Sequence, residues 1–333
     1  MPDPGKSSVR EAYEAVTNRI LELLDKGEIP WRKPWRSGWP HNLFSKREYR
    51  GINVFLLVNA GFGSAGWATA NQIRKHGGRI RVDQLEKPSR VFFMRPNEWW
   101  VWNVPQHVGW QEEGILCKVY EVWNWEQTEG LDDHAPKPSQ TKPVELAEQL
   151  VNGMPCPPAI KRHPSRACYY PREDVVAVPP DSQFQQREEY YCTLFHELIH
   201  ATGHESRLDR ASLKQFKRFG DHDYSQEELV AELGAAMLCG AAGLAPLTIK
   251  NSAAYIQSWL KALENDRTFV IRASGQAQKA CDYVRGVPML PPAHPAKPPP
   301  PNPVLASHRN PTPDELEQRI SAEALDVDDL NGD

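Results

Sequence analysis

With 333 residues, 40% hydrophobic and 25% charged, the chain has the ordinary composition of a soluble globular protein and length for two domains. No stretch approaches the roughly 18 continuous apolar residues of a membrane-spanning helix, and the start, MPDPGKSSVREAYEAV, lacks the apolar run of a signal peptide. Cysteines 117, 156, 168, 192, 239 and 281 are scattered without a CxxC pair, which excludes a disulfide scaffold and suits reduced thiols in the cytoplasm.

The net charge of −4 hides an asymmetry. Residues 1–95 hold 17 Lys and Arg against 9 Asp and Glu, a net +8, so the remainder carries −12. Ten of the 11 tryptophans fall between Trp31 and Trp125. A basic, Trp-rich first part joined to an acidic second part points to two jobs.

In chain order, Ser8 with Glu11 matches a capping box, and Val16, Ile20, Leu23 and Leu24 follow at helical spacing up to Gly27. The segment GEIPWRKPWRSGWPHN holds three prolines and is expected to be an extended, aromatic-studded loop. WATANQIRKHGG reads as a short helix ended by Gly77 and Gly78. RVFFMR, WWVWNV and LCKVYEVWN read as strands. A polar stretch over 127–142 marks a linker, after which helices are expected near 143–153, 187–203, 226–241, 251–264 and 266–286, with a strand in DVVAVPP at 174–180. Nine prolines in residues 288–303 predict an unpacked, disordered tail over 288–333.

The chemistry sits in TLFHELIHATGH. His196 and His200 form HExxH, and residues four apart share a helix face, so both imidazoles can point at one ion. Glu197 beside them is placed to take a proton from metal-bound water and pass it to a leaving nitrogen. Downstream, SQEELVAELGAAML carries Glu228 and Glu232 on a second helix, and its stripe Leu229, Leu233, Ala236 and Met237 would turn it to the core. This ExxxE arrangement resembles that of gluzincins, the thermolysin-like metallopeptidases. The resemblance implies Glu228 as third ligand, Glu232 as the acid that holds a ligand histidine in its tautomer, and one Zn2+ per chain. Glu232 and His204 remain alternatives for the third ligand, although the HExxHxxGxxH pattern is absent; Glu227 reads as solvated. Tyr190, Tyr191 and His204 are the candidate oxyanion donors.

WRKPWRSGW interleaves Trp31, Trp35 and Trp39 with Arg32, Lys33 and Arg36, and Lys46, Arg47, Arg50, Arg74, Lys75, Arg79 and Arg81 extend the charge. Rings for stacking plus cations for phosphates suit sequence-tolerant single-strand binding, but buried tryptophans and a solvated basic face would give the same composition. The segment IPWRKPW…PHNLFSKREYRGINVFLL…GWATANQIRKHGG resembles the N-terminal single-stranded-DNA-binding domain of ArdC-type antirestriction proteins, a domain that also occurs beside plasmid primases. ACYYPREDVVAVPP, TLFHELIHATGHESRLDR and YSQEELVAELGAAML resemble the metallopeptidase domain of the same proteins.

That resemblance implies an α+β architecture with a single-stranded-DNA-binding domain at 8–126 and a gluzincin-like metallopeptidase domain at 143–287. It implies a mobile-element protein that protects incoming DNA from restriction, with single-stranded DNA and a protein substrate as partners and neither membrane nor nucleotide cofactor. The family pattern falls on Trp31, Pro34, Trp35, Asn42, Tyr49, Arg50, Gly51, Asn53, Trp67 and Gln72, of which Pro34 and Gly51 read as backbone-shaping and Tyr49 and Asn53 could be core. The competing readings are a non-catalytic DNA-binding protein with a structural zinc site, which would need the histidines but not Glu197, and a nuclease, which would ordinarily use clustered carboxylates and two metals.

Overall fold

The computed structural model describes residues 9–32, 38–96, 115–134, 142–214, 222–245 and 252–288. Helix α1 (Val9–Asp25) follows the apolar spacing, with Val16, Ile20, Leu23 and Leu24 all buried. It ends where Gly27 takes φ 75°, so that the Gly27 and Glu28 amides donate to Leu24 O and Leu23 O, both at 2.9 Å. This pairing satisfies the last carbonyls and needs a residue free of a Cβ penalty.

The first domain is built on a four-stranded sheet. Its strands are β1 (His41–Asn42), β2 (Gly66–Ala68), β4 (Ser89–Pro96) and β5 (Ile115–Asn124), in the order β1-β2-β5-β4. β1 runs parallel to β2, whereas β2 and β4 are antiparallel to β5, with Ser89 opposite Val122. Strand β3 (Arg79–Ile80) pairs with β6 (Thr128–Glu129) as a separate ladder. Two helices flank the sheet: α2 (Ile52–Asn59) and α3 (Ala70–Lys75). Thr69 and Gln72 close a capping box at the start of α3, which explains why a six-residue helix begins there.

Inward-facing strand residues carry the aromatics. Trp67 packs with Leu57, Val91 and Val122, and Trp123 packs with Leu43, Ala68, Ile73 and Leu131. Leu131 and strand β6 lie in the stretch expected as a linker, so its first residues belong to the folded domain. The expected strand at WWVWNV, the Ser8 cap, residues 33–37 and the proline-rich tail beyond 288 lie outside the described residues.

The second part is helical around a small sheet. Here α4 (Pro143–Asn152) precedes β7 (Ala159–Arg162), β8 (Cys168–Tyr170) and β9 (Val175–Val178), ordered β7-β9-β8. β7 runs parallel to β9 and β8 antiparallel to it, leaving β8 at one edge. Then come α5 (Arg187–Ala201), α6 (Ala211–Lys214), α7 (His222–Ala242), α8 (Ser252–Asn265) and α9 (Phe269–Val284). α5 lies against β8 and β9 on one side and α7 on the other.

The main core runs past the expected boundary: Val16, Ile20, Leu24, Trp31 and Phe55 share one apolar cluster with α5, α7 and α9. Among the described residues no helix is long and apolar enough to cross a membrane.

Candidate metal centre

Residues 190–201 of α5 are almost all buried, so this helix has no solvent face over its C-terminal half. It is crossed by α7 at Gly234, where a Cβ would come within 2.8 Å of Ile199 Cδ1. The missing side chain lets the two backbones close up, one residue from His200 and six from Glu228.

That approach assembles three donors. The two Nε2 atoms of His196 and His200 lie 3.1 Å apart. Glu228 on α7 places Oε2 3.6 Å from His196 Nε2 and Oε1 3.5 Å from His200 Nε2. Tetrahedral ligands about 2.0–2.1 Å from a zinc ion are spaced about 3.3 Å apart, so two imidazoles and one carboxylate fit such an ion. Among the described residues this trio is the group of His, Cys, Asp and Glu side chains close enough to hold a metal. Glu197 follows His196 directly and, like both histidines, is buried.

The field there is negative. Burial opposes a charge on His196, yet Glu228, Glu197 and Glu232 outweigh it and hold the imidazole pKa up to about 9. Partial burial opposes the charge of Glu228, but bonding to His196 and the charge of His200 keep its carboxyl below the usual range. Burial, then Glu197 and Glu228, push the Cys168 thiol up, with Arg166 opposing, which puts β8 in the electrostatic reach of the site.

The acid that meets His200 is Glu227, not Glu232 as the gluzincin resemblance implies. Its Oε1 lies 3.3 Å from His200 Nδ1, and it is fully buried. Arg210 donates to both Glu227 oxygens, at 2.5 and 3.1 Å, and Ser212 Oγ donates at 2.6 Å. Arg210 also holds Thr202 Oγ1 and Ile199 O, tying the end of α5 to α7. Burial would raise the Glu227 pKa, but Arg210 and His200 pull it down to about 2. A solvated Glu227 was the wrong expectation because α7 is buried all round: Leu229, Val230, Ala231 and Leu233 are each 0% exposed. Arg210 and Ser212 come from a separate segment, and only their charge and polarity in RLDRAS could have hinted at a partner.

Glu232 instead takes Arg32, whose Nη2 lies 3.3 and 3.4 Å from its two oxygens. His204 lies outside the trio and is engaged locally, its Nδ1 2.8 Å from Ser206 Oγ. Tyr191 donates its hydroxyl to Glu148 at 3.1 Å, which engages that candidate oxyanion donor, and the Tyr190 ring packs edge-on against Phe184.

Several residues expected to touch DNA are structural. Trp31 packs edge-on against Trp259 at 5.3 Å and Trp67 against Phe62 at 5.5 Å, each 1% exposed, with no face open for a base. Arg32 is committed to Glu232. Asn53 clamps Phe92 of β4 with both ends of its amide, at 2.7 and 2.8 Å. Burial, opposed by a bond with Asn42, pushes the Tyr49 pKa up to about 12. Arg50 pairs with Asp282 while its side chain stays more than half exposed. Asn42 and Gln72 bond to each other at 3.0 Å. Lys33, Trp35 and Arg36 lie outside the described residues.

Comparison with known proteins gives the same two parts. Residues 10–114 match the family described as the N-terminal domain of anti-restriction factor ArdC, and residues 146–276 match a zincin-like metallopeptidase family. The chain is 32% identical over 296 residues to a DNA primase TraC of Escherichia coli, covering 82% of this chain and 20% of the primase, so it spans about a fifth of that relative. An uncharacterized protein, y4eC, of Sinorhizobium fredii is 29% identical and 91% covered. The metal-free crystal structure of the antirestriction protein ArdC from plasmid R388 superposes with a TM-score of 0.66 at 34% identity, covering 83% of this chain and 97% of that one. Its Mn(II)-bound form gives 0.64. With both domains matched in order and nearly the whole of that structure covered, the chain belongs to the ArdC family of antirestriction proteins.

Proposed function

We propose that this chain is a cytoplasmic mobile-element antirestriction protein that binds single-stranded DNA through its first domain and hydrolyses peptide bonds through its second, with one zinc ion held by His196, His200 and Glu228. The observation that carries the enzymatic reading is the convergence of these three donors within 4.8 Å of one another, with Glu197 one residue along the same helix.

A zinc ion in that position would supply a Lewis acid and make water acidic enough to ionise near neutral pH. Glu197 then serves as general base, accepting the proton at its carboxylate and delivering it to the leaving nitrogen. Glu227, itself fixed by Arg210 and Ser212, holds His200 with Nε2 turned toward His196 and Glu228, the side from which it would ligate a metal. The burial of His196, Glu197 and His200 keeps bulk water away and strengthens each of these electrostatic contacts. Strand β8, at the edge of its sheet, offers backbone groups along which an extended peptide could lie.

Elemental analysis of the purified protein tests this directly. About one zinc per chain is expected in the wild type and far less in His200→Ala and Glu228→Ala. Glu197→Gln should keep the metal while cleavage of a denatured protein substrate falls by at least about 100-fold. A wild type that holds no metal and takes up none would remove the enzymatic reading. Retained metal with equal cleavage in Glu197→Gln would remove Glu197 as the base.

A further inference from the structure

With Trp31 and Trp67 inside the core, the first domain needs another flat surface if it stacks on bases. The described residues offer one. Phe44 and His76 lie face to face, ring centroids 3.8 Å apart and planes within 7°, and His134 stands edge-on to both at 5.1 and 6.0 Å. Phe44 is half-buried against the Leu43–Trp123 core cluster, whereas His76 is exposed. Neither nitrogen of His76 has a protein partner among the described residues.

Two short pieces of chain make this stack. His76 caps the end of α3, directly after Arg74 and Lys75. Phe44 sits in a tight turn that Asn42 organises: its Oδ1 accepts from the Phe44 and Ser45 amides at 3.1 and 3.0 Å. Asn42 N–H donates to Arg47 O, and Lys46 N–H donates to Asn42 O. The turn forces Lys46 to φ 60°, an uncommon conformation for a non-glycine residue, in which Lys46 and Arg47 are both exposed. The Asn42–Gln72 bond locks this turn to α3, which explains how those two residues could serve DNA without touching it.

The charge of the two segments that make the stack is one-sided, although Asp132 and Asp133 precede His134 at its edge. Residues 41–81 hold seven Lys and Arg and a single acid, Glu48, which is bonded to Arg285. Across the nearby β3–β6 ladder Glu129 is taken by Arg79. Lys46, Arg47 and Lys75 have no ion-pair partner among the described residues, so their charge is free for phosphates. Stacked rings flanked by uncommitted cations are the elements of a sequence-tolerant single-strand platform.

We propose that single-stranded DNA binds on the Phe44–His76 stack, a base extending the stack from His76 and the backbone running over Lys46, Arg47, Arg74 and Lys75, with Asn42 and Gln72 as positioning residues. This rests on the reading of the first domain as a single-strand binder.

The test is fluorescence anisotropy of labelled oligothymidylate with the full chain over a series of salt concentrations, each variant first matched to wild type in melting temperature. His76→Ala should weaken binding at least about five-fold, the lower end of one stacked base, while His76→Phe, which keeps a flat ring, stays within about two-fold of wild type. The Lys46→Gln, Arg47→Gln double variant should lower the slope of log affinity against log salt by about 1.4, two phosphate contacts' worth. Wild-type affinity in His76→Ala, equal loss in His76→Phe, or an unchanged salt slope in the double variant overturns the platform while leaving single-strand binding standing. No binding by wild type overturns both and leaves the metal centre untouched.

Discussion

Carboxylates and guanidinium groups behave in opposite ways in the two halves of this protein. Around the candidate metal site they are buried or nearly so and spent on one another: Arg210 on Glu227, Arg32 on Glu232, Glu228 on two histidines. On the Phe44–His76 face the charges are exposed, and although Glu48, Arg79 and Arg81 are paired, Lys46, Arg47 and Lys75 have no ion-pair partner among the described residues. A buried charge must find a partner because desolvation is costly, so the metal domain's charges fix its geometry. An exposed cation contributes little to folding and keeps its charge for a ligand. Local charge density therefore says little about function until burial is known.

If that contrast holds, substitutions should separate by burial. The largest effect is expected for Arg210→Ala, which strands Glu227 without its cation: about 3–5 kcal/mol of stability lost, read as a lower urea midpoint in the metal-free protein. A midpoint within experimental scatter of wild type would mean that Glu227 is not the buried anchor described above.

Gly234→Ala comes next. A methyl group pressed on Ile199 should cost about 1–3 kcal/mol and weaken metal binding in a chelator competition, because α7 must move off α5. Unchanged metal affinity would show that Glu228 does not depend on the close helix crossing.

Asp174→Asn should cost about 1–2 kcal/mol at neutral pH through the lost charge-assisted bonds to Arg207, with Asn tolerating the positive φ of 52°. Burial opposes the Asp174 charge, but Arg207 and Tyr169 hold its carboxyl below the ordinary value. A depressed folded-state pKa stabilises above the unfolded value and is lost as pH falls through the folded one. The difference in melting temperature between variant and wild type should therefore close in acid below the usual aspartate range; a gap independent of pH would assign the effect to packing.

The smallest expected change is for Lys75→Gln: stability within about 0.5 kcal/mol of wild type, with a shallower salt dependence of oligonucleotide binding. A large loss of stability would place Lys75 among the structural charges and blur the contrast between the halves.

The proximity of His196 and His200 was readable from sequence because helical periodicity is local: four residues along α5 bring His196 over His200 whatever surrounds them, whereas Glu228 was reached only through the gluzincin resemblance. The same locality gave α1 and its end at Gly27. Glu227 could not be distinguished from its neighbour Glu228 that way, since which of two adjacent acids meets a histidine depends on how α7 is rolled against α5. Its partner Arg210 arrives from another segment. The first domain shows the converse. WRKPWRSGW advertises stacking by composition, yet Trp31 is in the core with Trp259, more than 200 residues away in the chain, while Phe44 and His76, unremarked as a pair, meet face to face because Asn42 bonds Gln72. Sequence by itself determined which helices form and which side chains share a face, since backbone geometry repeats over a few residues. The tertiary structure alone decided which charges are buried and which aromatics stay outside, because solvent access is a property of the packed chain.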